Sequence, residues 1–125
     1  MLFRSRCAIL RAVSAADDVL DLSQILAAFG EIDDDVREMM QMFVDTTAPM
    51  LVELEALVAA RDGTAAEDHA HSIKGAARSA GARAMAAASE AVEAAARAGD
   101  WAEVELKLAL IRPAFDAARK AIARL

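Results

Sequence analysis

The sequence predicts an all-α protein, an antiparallel up-and-down four-helix bundle with a short extra N-terminal helix. Three observations carry that prediction. Hydrophobic residues make up 57% of the chain, much of it alanine, with 5 Gly, 2 Pro and no Tyr. No stretch alternates as a strand does, whereas two long segments keep apolar residues in alternating spacings of four and three. The helical segments are separated by short turn and capping signals, which leaves antiparallel neighbours as the attractive topology.

Taken in order, residues 1–19 read as an N-terminal extension and residues 20–125 as the bundle. The first sixteen residues hold Arg4, Arg6 and Arg11 and no acid. Arg11 interrupts an already short apolar stretch, so a flexible or weakly helical terminus is expected, with a membrane-surface or targeting segment as the alternative. Asp21 to Phe29 reads as a short helix with Leu22, Ile25, Leu26 and Phe29 apolar, closed by Gly30. Asp33-Asp34-Asp35 then opens a long helix, where acids suit the positive end of the dipole. A metal cluster is the weaker reading of the triplet, because no matching ligands lie nearby.

That long helix carries Val36, Met40, Phe43, Thr47, Met50, Leu54 and Leu57 on one stripe. Pro49 predicts a kink near Asp45 to Ala48, and the unbroken phase favours a kinked helix over two. Asp62-Gly63 is expected to end it. Thr64 to Glu67 is a capping-box pattern, with Thr64 as N-cap. The next helix should end near Ser79 to Gly81. Ala82 to Ala98 follows as an alanine-rich helix with Met85 and Val92 inward, and small side chains permit a close approach to its predecessor. Gly99 stops it and Asp100 starts the last helix, with Glu103 completing the cap. Trp101, Val104, Leu108, Ile111, Phe115, Ala118, Ile122 and Leu125 form its stripe, and Pro113 should bend it.

A chain of 125 residues is one domain and can bury a core. A net charge of −6 argues against nucleic acid as a partner. The single cysteine, Cys7, excludes an internal disulfide and suits a reducing, cytoplasmic setting. No apolar run approaches the ~18 residues of a transmembrane span.

The chemistry is concentrated in Ala70 to Arg78. A helical wheel puts Ala66, Ala70, Ile73, Ala77 and Ala80 on one face, with His71 roughly 140° from its centre. Lys74 and Arg78 fall on the same side as His71. Gly75, nearly opposite the apolar face, costs an interior helix position about 1 kcal/mol relative to Ala. Its best use is clearance around His71 for an approaching backbone. His69 lies on the other flank as a boundary residue, and its two-residue separation from His71 makes a zinc pair improbable. Glu67 either caps the helix or, one turn before His71, orients the ring; capping is the preferred reading.

The run His71-x-x-Lys74-Gly75, ending in Gly81-Ala82, resembles the signature of the histidine-containing phosphotransfer family over roughly Leu20 to Leu125. The resemblance implies a four-helix bundle that passes phosphoryl groups between histidine and aspartate in two-component relays. It implies His71 as the phosphorylated residue, Lys74 as its charge partner, Gly75 as the clearance position and Arg78 as an extension of the positive field. Arg78 departs from the neutral or small residue of many relatives. Ala80 departs from a larger apolar residue, which should loosen local packing. Expected partners are response-regulator receiver domains and histidine kinases. The receiver supplies the aspartate and Mg²⁺, so this chain needs no cofactor or metal of its own.

A neutral imidazole nitrogen is a competent nucleophile toward an activated phosphoryl group. Nothing in the chain supplies an ATP site, so a phosphocarrier without kinase activity is expected. A kinase dimerisation helix would follow its histidine with an acid and a proline, whereas Ser72 and Ile73 follow His71. The alternative is a helical adaptor or inhibitor that binds a kinase or regulator without carrying phosphate. The expected docking surface joins the outward side of the motif helix to Ile25 and Leu26, and a monomer is expected.

Overall fold

The computed structural model describes residues 18–125, and every regular element among them is helical. Five helices follow one another: α1 (Leu22–Phe29), α2 (Asp34–Ala59), α3 (Gly63–Ala80), α4 (Arg83–Ala98) and α5 (Trp101–Ala123). The reading of residues 1–17 as an extension lies outside the described residues. Asp18 and Val19 are helical, and Leu20 is buried in the core.

Each long helix packs on the next, and α2 also packs on α5, so α2 to α5 close a ring around one core. The ring is built from the stripes read in the sequence. Val36, Met40, Thr47 and Leu54 of α2 are buried, joined by Val44, Leu51 and Val58, while Phe43, Met50 and Leu57 pack at its margin. On α5 the buried set is Val104, Ile111, Phe115, Ala118 and Ile122. The α3 contribution is Ala66, Ala70, Ile73, Ala77 and Ala80, and that of α4 includes Met85, Ala88, Val92 and Ala95. Short side chains on both helices let the two backbones approach closely.

Polar contacts record the direction of these neighbours. Along α3, Glu67, Lys74 and Arg78 meet Arg97, Glu93 and Glu90 of α4 in that order. Partners thus run backwards along α4 as α3 runs forwards. Between α2 with the turn that follows it and α5, Glu55 pairs with Arg112 and Arg61 with Glu105, again in reverse.

The helix ends follow from local chemistry. Asp33 and Asp100 accept from the backbone amides of Val36 and Glu103 at 3.0 and 3.2 Å. Pro49 and Pro113 lie inside α2 and α5 without dividing them. The start of α3 differs from the capping-box expectation. Asp62, not Thr64, is the N-cap, accepting from Ala65 N at 3.2 Å, and Gly63 is already helical. The reversal that ends α2 falls instead on Arg61, whose φ is +57°. This left-handed backbone is uncommon without glycine. Arg61 is held there by stacking 5.1 Å above the Trp101 ring and by a 2.7 Å ion pair to Glu105.

Helix α1 sits across the α3–α4 turn. Asp21 N donates to Gly81 O at 2.8 Å, and Gln24 Nε2 to Arg78 O at 2.8 Å. Gly81 has φ +79°, and a Cβ there would come within 3.3 Å of Asp21 O. Both the backbone conformation and the close approach therefore need glycine. Docking in this way turns Ile25 into the core, 3% exposed, and leaves Leu22, Leu26 and Phe29 outside. Ile25 is therefore not part of a docking surface; Leu26, 45% exposed, remains available.

Candidate functional site

Helix α3 presents His71, Lys74 and Arg78 toward α4, while His69 turns toward α2. The His71 side chain is 66% exposed, and its Nδ1 lies 2.5 Å from Glu93 Oε2. Lys74 Nζ lies 2.7 Å from the other oxygen, Oε1, of the same carboxylate. Glu93 itself is only 6% exposed. One buried carboxylate thus ties together the histidine and the lysine from the neighbouring helix.

The charge state of Glu93 follows from these contacts. The hydrogen bond from Lys74, aided by that from His71, holds its carboxyl below the usual carboxylate value, against burial, which pushes it up. An ionised Glu93 offers acceptors only, so Nδ1 of a neutral His71 must carry the proton that is shared with it. The lone pair of that ring is then on Nε2, the outward nitrogen. Glu93 fixes both the tautomer and the ring orientation.

Lys74 is less free than its expected role requires. Its side chain is 13% exposed and committed to Glu93. Arg78 lies two turns on, 59% exposed, with its guanidinium 3.4 Å from Glu90. Gly75 has open space where a Cβ would stand. His69 is half-buried at the boundary, with Nε2 3.5 Å from Glu53 Oε2. The two histidines therefore serve different helix interfaces. Among the described residues no group of three His, Cys, Asp or Glu side chains is placed to hold a metal ion.

Glu67 neither completes a capping box nor reaches His71. It pairs with Arg97 Nε of α4 at 2.8 Å, and Arg97 Nη2 comes within 4.0 Å of Glu93 Oε2. The hydrogen bond to Glu67 is the main cause that raises the Arg97 pKa above its ordinary value. Glu93 and Arg97 were not singled out in the sequence, although a signal for the first existed. His71 and Glu93 are each eleven residues from Ala82. Folding two antiparallel helices about that turn sets them opposite each other.

On the α2 side of α3, one flank over from His71, runs an apolar groove of about 290 Å³. Met39, Met42 and Phe43 form one wall, with Ala76, Ser79 and Ala80 on the other. Ala80, itself buried, lines this wall.

The Hpt domain family model matches residues 38–124, more than two-thirds of the chain. The chain belongs to the Hpt domain family. The match takes in α3, α4, α5 and most of α2, and so contains His71, Lys74, Gly75 and Glu93. No curated protein and no solved structure gives a significant match to this Hpt domain. Hpt domains are phosphocarriers of two-component signalling rather than enzymes. Among the described residues, no helix is long and apolar enough to cross a membrane.

Proposed function

We propose that this Hpt domain carries a phosphoryl group on His71 Nε2 and exchanges it with receiver-domain aspartates in a two-component phosphorelay. The observation that carries the reading is the 2.5 Å contact of His71 Nδ1 with the buried Glu93. A solvated histidine of no consequence needs no such partner. Here a carboxylate is kept ionised in the helix interface and leaves the nucleophilic nitrogen facing solvent.

The transfer balances without moving a proton. The Nε2 lone pair attacks phosphorus of the receiver's acyl phosphate and forms the N–P bond. The P–O bond breaks and its electron pair leaves on the aspartate carboxylate. The ring, still protonated at Nδ1, becomes cationic, and Glu93 stabilises that charge as it develops. The reverse sequence returns the group to an aspartate. Phosphoryl transfer asks the protein mainly for position and charge neutralisation, and Mg²⁺ is assigned to the receiver.

The docking surface we assign is the outward side of α3 around Gly75, together with Leu26 of α1 and the Met39–Met42 wall of α2. Met42 is 62% exposed. Exposed apolar side chains beside a reactive centre suit a small, exchangeable interface. The reversed order of partners in both interhelical ladders, and the short connections, support the antiparallel up-and-down arrangement for the whole bundle. A cytoplasmic monomer fits the same reading. The adaptor alternative would leave the Glu93–His71–Lys74 arrangement without a use.

The test is intact mass after incubation with phosphoramidate, a small donor that needs no partner. Wild type and His69→Ala should gain one acid-labile phosphate, and His71→Ala should gain none. A folded wild type that takes no label would return the weight to the adaptor.

A further inference from the structure

Phosphorylation places about 1.5 to 2 negative charges beside His71, and some cation must answer them. Three cations are near, and their present partners decide which can move. Lys74 holds the buried Glu93. Taking it away would leave a carboxylate that is 6% exposed without its main counter-charge, a loss far larger than a surface pair costs. Arg78 is seven residues beyond His71, roughly 10 Å along the helix axis, and is engaged with Glu90. Arg97 is engaged too, with the partly exposed Glu67 at 2.8 Å, but it releases no buried carboxylate and lies nearer than Arg78: its side chain is 64% exposed, and one oxygen of Glu93 separates it from the His71 ring. Exposed pairs of this kind contribute little to stability, whereas a guanidinium on phosphate makes charge-assisted, often bidentate bonds.

We propose that Arg97 is the cation that closes on the phosphoryl group at His71, handed over from Glu67, which holds it in the unphosphorylated protein. This deepens the phosphocarrier reading and rests on it. Lys74 then acts differently, keeping Glu93 ionised and in place so that Glu93 can hold the ring. Glu67 becomes a negative regulator of the same site. Before transfer it occupies the guanidinium, and after transfer it faces solvent alone. Arg97 and Glu67 lie on different helices, so the exchange also loosens one of the ties between α3 and α4 while the group is carried.

The experiment compares the full chain as wild type, Arg97→Gln, Arg97→Lys and Glu67→Gln, with folding checked by circular dichroism and thermal melting. Phosphorylation by phosphoramidate is followed by intact mass against time. In this reaction Nε2 forms the N–P bond. The donor P–N bond breaks, its electron pair leaving on ammonia, whose three protons the zwitterionic donor already carries. We expect Arg97→Gln to slow labelling roughly tenfold, Arg97→Lys to restore part of the loss, and Glu67→Gln to label faster than wild type. The Arg97 side-chain Nε resonance should shift when wild type is phosphorylated. A merely structural Arg97–Glu67 tie would make both neutralised variants equally slow, and that result overturns the proposal. So does wild-type labelling in Arg97→Gln with an unmoved Nε resonance. If wild type labels at His71 and either pattern appears, this inference alone fails. If wild type takes no phosphate, the carrier reading fails and takes this proposal with it.

Discussion

Replacing Glu93 by Gln changes one atom and should expose how the site works. Both partners of Glu93 are donors: Lys74 Nζ at 2.7 Å and His71 Nδ1 at 2.5 Å. A carboxylate offers an acceptor oxygen to each, and a carboxamide has only one. The full charge of Lys74 takes that oxygen, so the amide NH₂ is turned toward His71. Nδ1 can meet a donor only with its lone pair, which sends the ring proton to Nε2 and removes the nucleophile. Regaining the reactive tautomer then costs one hydrogen bond, about 1 kcal/mol, or a five- to tenfold fall in the labelling rate. The stability loss is that of a hydrogen bond to a charged group in a nearly buried setting, about 1.5–3 kcal/mol. Urea unfolding reads the second quantity and phosphoramidate labelling the first. An E93Q protein with wild-type midpoint and wild-type rate would refute the reasoning, since it would mean that Glu93 neither anchors Lys74 nor sets the tautomer.

Three further outcomes are expected. Gly75→Ala should stabilise the fold by about 1 kcal/mol in thermal or urea unfolding, because a Cβ meets nothing there; labelling by a small donor should persist, whereas transfer from a phosphorylated receiver should slow. Ile25→Asp should destabilise by about 3 kcal/mol or more, as an unpaired charge in the core does, while Leu26→Asp should leave the melting temperature within a degree or two and reduce receiver transfer. The Glu93 carboxyl lies below its ordinary 4.5 in the folded protein, so its stabilising share is fully present above about pH 4.5 and is lost as pH falls through the lower folded value. Acid titration of urea midpoints should therefore show a loss below pH 4.5 that is smaller in Glu93→Gln; equal losses in both proteins would assign the acid sensitivity to other carboxylates.

The parts of the fold that were legible in the sequence are those fixed by neighbours a few residues away. The apolar phase gave the faces of α2 and α5 across both prolines, and Asp33, Asp100 and Gly81 marked helix ends by local hydrogen bonding. Elsewhere the local pattern misleads: the capping box points to Thr64, yet Asp62 is the cap of α3, accepting from Ala65 N. The short α1 shows several apolar residues, and only its bonds to Arg78 and Gly81 decide that Ile25 points in and Leu26 out. The site divides in the same way. His71, Lys74 and Gly75 belong to one helix, and their place away from its apolar face could be read from spacing. Glu93 and Arg97 belong to the neighbouring helix. Their contribution depends on register across the Gly81–Ala82 turn, and the sequence alone also hid that Lys74 faces a buried carboxylate.

The central claim is that Glu93 keeps the His71 ring proton on Nδ1 and so reserves Nε2 for phosphorus. A long-range ¹H–¹⁵N spectrum of the two imidazoles, recorded before and after phosphoramidate treatment, tests it most directly. The account predicts that neutral His71 carries its proton on Nδ1 and that the phosphoryl group then appears on Nε2 of the same ring. A proton on Nε2 of free His71, or phosphorus on Nδ1 or on His69, would contradict it.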